Sequence, residues 1–384
     1  MVNLTRRLCL CTIAALSFAR ASRADDVSAK SPPVPGLAPR FGAVLPLTGT
    51  YALQGDEVLR GIQLAMDEVA RSANNAGEPL NLAVVDTASQ PTAAVAVNHL
   101  MSADNVNILL GGGSSALSYP ASAAAELAQI PFIELTSPAD GIMSRGFKFL
   151  LRTGPDTAMV GQLAAQTIKS QYGHRHVGLL FNTGATAGAI AAAIITSLQA
   201  ANQPLTLSIA YPEDAADLWI QAGRLMRAGV DVLLHAAGPN DTLALFQAMQ
   251  NLNWRPNVLI GCGTGYDLRD TQIALGADLD GTFVIAAPFY PQSAVAIAQA
   301  YAAKYGVPPR SAESCTAYVG AKLAFDTLTA VKNDPTKLLG ALRQLNLPRG
   351  TLANGFGAVF DANGQNTASF VTLQNWRAGH LVPV

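Results

Sequence analysis

The chain has 384 residues, a formal net charge of −1 and only 13% charged residues. A nucleic-acid-binding protein would need a basic face, and this charge balance does not predict one. Half of the residues are apolar, and the length exceeds what one hydrophobic core usually organises, so we expect two domains.

The first residues have the order of a secretory signal peptide. Arg6 and Arg7 precede an apolar run from Leu8 to Ala19, and small residues follow at the spacing that a signal peptidase requires. The run is too short to cross a bilayer. We therefore expect residues 1–24 to be a cleaved signal peptide and the Pro-rich residues 25–39 to be a flexible leader. The mature protein is expected in the periplasm, without a lipid anchor or a membrane-embedded segment.

Short apolar runs recur along the rest of the chain, each bounded by Gly, Pro, Asn or Asp. Runs of four to eight such residues predict buried strands of parallel sheets. One set of predicted strands comprises 41–47, 80–86, 106–112 and 131–136, and a second set comprises 176–182, 205–211, 230–236, 258–262 and 282–287.

Helical patterns separate these runs. Residues 56–71 place apolar side chains on one face, and Asp156 and Asp241 are suited to cap helices that begin at the following residues. Strands that alternate with helices predict right-handed βαβ units and an α/β fold. The strand spacing breaks once, around residues 152–156, which is a suitable place to leave one sheet and begin another.

The end of the chain has a different pattern. Three helices are predicted over 292–305, 314–332 and 335–345. The segment GAVFDANGQNTASFVTLQNW then predicts a β-hairpin that turns at Asn363-Gly364.

Cysteine and histidine usage points to neither a metal nor a cofactor. Cys262 and Cys315 remain after the signal peptide, and the sequence leaves open whether they form a disulfide or two buried thiols. His174 and His176 have no third ligand at a metal-binding spacing.

The glycines 111–113 lack the GxGxxG pattern, and no Gly-x-Ser-x-Gly elbow is found, so we expect no enzyme.

Several long stretches carry a family pattern. They are FGAVLPLTGTYALQGDEVLRGIQLAMDEV, VVDTASQPTAAVAVNHLMS, LLGGGSSALSYPASAAAELAQIPFIELTSPAD and RGFKFLLRTGPD, with weaker matches in DLWIQAGRLMRAGVDVLLHAAGPNDTLALFQAM and FDANGQ. Over nearly the whole mature chain, the sequence resembles the type I periplasmic binding proteins of the leucine/isoleucine/valine-binding group.

The resemblance implies a fold and an activity. The fold would be α/β, with two doubly wound parallel-sheet lobes joined by a hinge of three crossings near 152–154, 286–288 and 355–357. The N-terminal lobe would comprise 40–153 plus 289–354, and the C-terminal lobe 154–288 plus 355–384. A monomer would capture a small molecule between the lobes and deliver it to an ABC-type inner-membrane permease. The alternative is a periplasmic sensor or regulator that uses the same fold to contact a protein.

Two loops of the first half are candidate ligand contacts. Ser114, Ser115 and Ala116 follow a glycine-rich strand-to-helix turn, where backbone N–H groups suit a polar or anionic group. The resemblance implies that Ser115 holds the ligand's carboxylate. Pro138 and Ala139 follow the next strand, at the strand ends where α/β sheets bind ligands.

Asp140 departs from the family pattern, which has a hydroxyl at this position. A carboxylate here would repel a ligand carboxylate. Asp140 therefore either pairs a positive group of the ligand, or caps the following segment and faces solvent.

The resemblance places the rest of the pocket at Gln54, Thr186, Gly238 and Gly263. Relatives carry a tyrosine at the first position, aromatic side chains near the next two and an ammonium-binding glutamate at the last. Their replacement predicts a roomier pocket and a ligand other than a standard branched-chain amino acid. We expect that ligand to carry little or no positive charge, as in an aromatic or apolar carboxylic acid, an amide or an alcohol.

Overall fold

The structure, a computed structural model, describes residues 38–72, 80–87 and 90–384. The predicted signal peptide and all but the last two residues of the predicted leader lie outside the described residues. Within the described ranges, no helix has both the length and the apolar character needed to cross a membrane.

Strands and helices alternate through most of the chain. The strands are β1 (Phe41–Leu45), β2 (Leu82–Asp86), β3 (Ile108–Gly111), β4 (Phe132–Glu134), β5 (Leu150–Arg152), β6 (Val177–Asn182), β7 (Leu207–Tyr211), β8 (Val232–Ala236), β9 (Val258–Cys262), β10 (Phe283–Ala286), β11 (Asn346–Leu347), β12 (Ala358–Val359), β13 (Thr372–Arg377) and β14 (His380–Pro383). The α-helices are α1 (Ala52–Arg71), α2 (Gln90–Ala103), α3 (Ser115–Leu127), α4 (Asp140–Met143), α5 (Thr157–Thr167), α6 (Ala185–Ala200), α7 (Trp219–Arg227), α8 (Pro239–Asn251), α9 (Arg269–Leu275), α10 (Val295–Tyr305), α11 (Ala312–Ala330) and α12 (Pro335–Arg343).

The first sheet contains five parallel strands in the order β2-β1-β3-β4-β5. Apolar clusters cover both of its faces: Ile62 and Phe325 belong to one, and Val97 and Leu117 to the other. Because helices shield both faces, β1, β3, β4 and β5 are buried at every residue. We call this sheet, with α1–α4 and α10–α12, the first lobe.

The second sheet has seven strands in the order β14-β13-β10-β9-β8-β6-β7. Strands β6 to β10 are mutually parallel, whereas β13 runs antiparallel to β10 and pairs with β14 as a hairpin. Two apolar clusters again cover the two faces. This sheet, with α5–α9, is the second lobe. The α/β architecture with two parallel-sheet lobes is therefore as predicted.

One strand was not predicted, and the predicted hairpin is present but shorter than expected. The short strand β5 was not predicted, because three residues are too few to show a periodicity. The predicted hairpin turn at Asn363-Gly364 carries a single bridge between Phe360 and Asn366. The longer hairpin is β13–β14, which turns at Ala378-Gly379, where both residues have positive φ.

The helix starts show one prediction confirmed and one wrong. Asp156 caps α5, and its Oδ1 accepts the N–H of Met159 at 2.8 Å. Asp241 is not the N-cap of α8, which begins earlier, at Pro239. Proline suits the first helical position because it needs no N–H there. Asp241 instead accepts the N–H of Gly238 at 3.0 Å.

The chain passes between the lobes three times. We propose that the first two passages follow β5 and β10, near the positions that the family resemblance implies. Before the third passage, Ala358 still packs in a core of the first lobe, and Gln365 is bridged to Arg152 at the end of β5. We therefore propose a third crossing at 366–371 in place of 355–357, with residue 365 ending the first lobe.

Both cysteines of the described chain are buried and free. Cys262 lies in a core of the second lobe and Cys315 in a core of the first. The two thiols thus belong to different lobes, so the alternative of two buried thiols is the one that the structure shows.

Close packing of α1 on α11 generates a stability prediction. A Cβ at Gly61 would lie 2.3 Å from the carbonyl oxygen of Ser314. Gly61→Ala should lower the free energy of unfolding by about 1–3 kcal/mol, because the two helix backbones must move apart. Urea denaturation of the mature protein measures this change.

The matched control is Gly340→Ala in α12. An added Cβ at Gly340 would meet no atom of the described chain within 4 Å. This variant should raise the free energy of unfolding by about 0.5–1 kcal/mol, because alanine loses less entropy in a helix. Equal effects of the two variants would contradict the packing argument.

Candidate functional site

Two cavities lie between the lobes. The outer cleft has a volume of about 710 Å³ and the inner cavity about 80 Å³. The outer cleft is lined by Pro46, Thr48, Thr50, Tyr51, Ser114, Ala116, Leu117, Asn182, Glu213–Ala216 and Gly238–Asp241. The inner cavity is lined by Thr136, Pro138, Pro155, Asp156, Val160, Thr186, Ile190, Gly263, Thr264, Asp267, Ile285–Ala287, Ala312, Glu313, Thr316 and Val371.

The inner cavity lies against the hinge. All three passages between the lobes contribute to its wall, through Pro155, Ala287 and Val371. The remaining wall comes from loops that follow strands of both sheets, from α5 and α6 and from the start of α11. A rotation of one lobe about these passages must therefore change the shape of this cavity.

The lobes touch directly at several points. The N–H of Ser115 donates to Thr186 Oγ1 across the cleft at 3.4 Å. The hydroxyl of Tyr51 in the first lobe donates to the carboxylate of Glu213 in the second. Near the hinge, Arg269 N–H donates to the carbonyl oxygen of Arg310 at 2.8 Å. The structure therefore describes a closed arrangement of the lobes.

Two buried charged side chains hold the loop that follows β4. Glu134 accepts the N–H groups of Thr136 and Ser137 at 3.2 and 2.8 Å. Arg152 donates to the carbonyl oxygens of Ser137 and Ala139 at 3.1 and 2.9 Å. Burial raises the pKa of Glu134 and lowers that of Arg152, and the charge of each opposes the shift of the other. The loop is thus positioned by side chains that lie outside both cavities.

Six of the ten predicted site residues line the cavities. Ser114, Ala116 and Gly238 line the outer cleft, and Pro138, Thr186 and Gly263 line the inner cavity. Ser114 is only 2% exposed, and its Oγ has no hydrogen-bond partner in the described part of the chain. Its hydroxyl is therefore ready to bond a group in the outer cleft.

Three predicted residues lie behind the cavity walls. Ser115 makes the contact with Thr186, and its Oγ accepts the N–H of Ala139 at 3.3 Å. Gln54 is buried in the first turns of α1, and neither amide atom is hydrogen-bonded to any described residue. Ser115 and Ala139 thus shape the site from behind its surface.

Asp140 lies outside both cavities. Its Oδ1 accepts the N–H groups of Thr157 and Ala158 at 3.1 and 3.3 Å, which caps the start of α5. The side chain is 46% exposed and lies 4.0 Å from a guanidinium nitrogen of Arg152. Asp140 thus lines neither cavity and caps a helix, but the helix is α5 and not the segment that directly follows Asp140. Free N–H groups at a helix start attract a carboxylate, which explains this orientation.

Sequence reasoning missed two acids of the inner cavity, Asp267 and Glu313. Asp267 lies in the loop that follows β9, four residues beyond Gly263. Glu313 lies in the first turn of α11, in the other lobe. An acid in a loop after a strand was a readable signal for Asp267. Nothing in the sequence indicated Glu313, because only the return of the chain to the first lobe brings α11 to the cleft.

Both missed acids have unusual surroundings. Asp267 is 5% exposed, and burial raises the pKa of its carboxyl to about 7. Burial, together with the charge of Asp267, raises the pKa of Glu313 well above its usual value. Asp267 Oδ1 and Glu313 Oε2 are shut off from solvent without a hydrogen-bond partner among the described residues.

The outer cleft is also acidic. Glu213, Asp214 and Asp241 line it from the second lobe. Burial raises the pKa of Asp241, against the hydrogen bonds that it accepts from Gly238 and Asn182. Among the described residues, no group of three or more His, Cys, Asp or Glu is arranged to hold a metal ion.

The buried carboxyl of Asp267 generates a pH-dependent stability prediction. Its pKa is about 7 in the folded chain but about 3.9 when unfolded. The folded protein therefore binds the extra proton between about pH 4 and pH 7, and Asp267 makes the protein less stable as pH rises through this window. Asp267→Asn removes that loss.

Thermal unfolding at pH 4, 6 and 8 measures the effect. The melting temperature of Asp267→Asn, relative to the parent protein, should rise from pH 4 to pH 8. Asp326→Asn, which removes an exposed carboxylate paired with Lys322, is the control for loss of a negative charge. A difference between Asp267→Asn and the parent that stays constant with pH would contradict the burial penalty.

Comparison with known proteins identifies relatives of this chain. Residues 39–380 match the family model described as "Periplasmic binding protein". The Leu/Ile/Val-binding protein homolog 8 of Brucella abortus (strain 2308) is 31% identical over 361 residues, covering 90% of this chain and 90% of the relative.

Solved structures share the fold at lower identity. The leucine-binding protein LivK from Thermotoga maritima has a TM-score of 0.79 at 19% identity, covering 90% of this chain and 97% of that chain. An ABC transporter solute-binding protein from R. palustris in complex with benzoate has a TM-score of 0.78 at 18% identity, covering 91% of this chain and 96% of that chain. The predicted family is confirmed: the chain belongs to the periplasmic binding proteins, in the group related to the leucine/isoleucine/valine-binding proteins.

Proposed function

We propose that this protein is the solute-binding component of an ABC-type importer. It captures a small molecule between its lobes and presents the closed complex to an inner-membrane permease. The inner cavity carries the proposal, because both lobes and all three passages between them form its wall. A ligand bound there contacts both lobes only when they are closed, so it shifts the protein towards the closed state.

The chemistry of the two cavities supports binding. Thr136, Thr186 and Thr316 line the inner cavity, and Ser114 in the wall of the outer cleft has a hydroxyl without a hydrogen-bond partner in the described chain. Ligand sites generally combine an apolar wall with a few polar groups of this kind. The family to which the chain belongs consists of binding proteins.

Export is part of the same proposal. Residues 1–24 would direct the chain across the inner membrane and be removed there. A periplasmic location places the protein where a ligand enters and where a permease is reached. The protein would act as a monomer, with its two lobes as the moving parts.

The first test concerns closure. A metabolite panel is screened for compounds that raise the melting temperature, since a ligand of the folded state stabilises it. Small-angle scattering should then give a smaller radius of gyration with a saturating hit than without it. A compound from the same panel that leaves the melting temperature unchanged is the control. A saturating ligand that leaves the radius unchanged would favour the regulator that contacts a protein.

The second test concerns the hydroxyl of Ser114. Ser114→Ala should weaken ligand binding about threefold to tenfold, the scale of one hydrogen bond of about 1 kcal/mol. The melting temperature of the unliganded protein should not fall, because this Oγ has no partner to lose within the described chain. Titration calorimetry measures the affinity.

Ser115→Ala is the matched comparison. It removes an acceptor of the Ala139 N–H, so it should lower the stability of the unliganded protein. If Ser115→Ala weakens binding without destabilising the protein and Ser114→Ala changes neither property, the ligand's polar end lies on Ser115, as the family resemblance implies.

A further inference from the structure

The inner cavity brings together two carboxylates from opposite lobes. Asp267 comes from the second lobe and Glu313 from α11 of the first. Each presents an oxygen that is shut off from solvent and accepts no hydrogen bond from any described residue. An unpaired buried carboxylate is costly, so this arrangement calls for a partner.

The other buried acids of the chain have donors. Glu57 accepts the hydroxyl groups of Tyr301 and Ser314 and the N–H groups of Arg310 and Ser311. Glu134 accepts two backbone N–H groups and the hydroxyl of Ser118 and lies near Arg152. Unlike Glu57 and Glu134, the two acids of the inner cavity each have an oxygen without a hydrogen-bond donor in the described chain. These oxygens are therefore candidate ligand contacts.

The nearby cations are engaged elsewhere. Arg152 donates to Gln365 and to the loop that follows β4. Arg310 pairs with Asp56 and lies 3.5 Å from Asp270. Neither side chain lines the cavity in the described chain.

The charged groups that act on the pair are negative. They are Glu57 on α1 and Glu134 at the end of β4, besides the pair itself. A third acid, Asp156, shares the cavity wall, where it caps α5. The pair thus receives no compensating charge from the elements packed against it.

The outer cleft is acidic, like the inner cavity. Glu213, Asp214 and Asp241 line the outer cleft, and among the described residues no Lys, Arg or His lines either cavity. Acids that line one cleft repel an anionic ligand and attract a cation.

We propose that the cleft binds a small organic cation, whose protonated amino or guanidino group lies between Asp267 and Glu313. This inference rests on the proposed function, names its substrate class and replaces our expectation from the sequence that the ligand carries little or no positive charge. At about 80 Å³ the inner cavity accommodates the charged end of such a ligand, and the rest extends past the Ser115–Thr186 contact towards the outer cleft. N–H donors of the ligand satisfy the two open oxygens.

The position of the cation between Asp267 and Glu313 also explains how the ligand closes the lobes. Asp267 belongs to one lobe and Glu313 to the other, so closure of the lobes brings the two carboxylates towards each other, where they repel. A cation between them replaces this repulsion with two charge-assisted hydrogen bonds, one to each lobe. Ligand charge and lobe closure are therefore coupled at one place.

Calorimetric titration at pH 8 and low salt tests the inference. The probes are agmatine, putrescine and L-arginine as organic cations, L-leucine as a zwitterion and benzoate as an anion. At least one cation should bind, and Asp267→Asn and Glu313→Gln should each weaken it about tenfold to a hundredfold, the loss of one charge-assisted bond. Asp326→Asn, on the exposed side of α11, is the matched control and should bind like the parent protein.

A second measurement follows the release of protons when the cation binds. Because Asp267 holds a proton near neutral pH, binding of the cation should release protons, and affinity should fall when pH is lowered from 8 to 6. Titrations in phosphate and in Tris at the same pH should then give different binding enthalpies. This difference should become smaller in Asp267→Asn and not vanish, because burial also raises the pKa of Glu313, which can still release a proton.

The results that contradict the cation inference differ from those that contradict the proposed function. If leucine or benzoate binds, no cation does, and both acid variants keep the affinity, the cation inference is overturned while the proposed function stands. If no probe binds, the inference is likewise overturned, and the metabolite screen with scattering decides the proposed function separately. Cation binding that is unaffected by both variants also overturns the assignment to Asp267 and Glu313.

Discussion

The buried guanidinium of Arg152 is the contact on which the site depends. It is 1% exposed at the end of β5, where the chain leaves the first sheet. It binds the carbonyl oxygens of Ser137 and Ala139 on one side and the amide of Gln365 on the other. One side chain therefore joins a loop beside the cleft to the first and third passages between the lobes.

The neighbouring polar groups extend this network along the hinge. Gln365 donates to the carbonyl oxygen of Gly154 at 3.1 Å, and Asn366 donates to that of Thr153 at 3.0 Å. These bonds tie two passages to each other with buried side chains, where a low dielectric strengthens each bond. The first and third passages are thus held together by buried hydrogen bonds.

The buried carboxylates fall into two groups: those with hydrogen-bond donors hold the fold together, and those without donors are available for a ligand. Glu57 and Glu134 have donors around them, and both hold protein elements together. Asp267 and Glu313 line a cavity, and each has an oxygen without a hydrogen-bond donor in the described chain. In the proposed cation binding, a ligand that donates to both carboxylates would remove the free-energy cost of leaving them unpaired.

The sequence by itself determined the family, the α/β class and nine of the ten parallel strands, because apolar runs bounded by turn residues are local signals. Local order also indicated Ser114, which follows a glycine-rich strand end, whereas Thr186 and Gly263 came from the family resemblance. Tertiary structure decided the rest. The strand β5 depends on pairing rather than periodicity, and Asp140 turned to α5 because free N–H groups lie there. Glu313 reaches Asp267 only because the chain returns to the first lobe, and no local pattern encodes the meeting of two residues from different lobes.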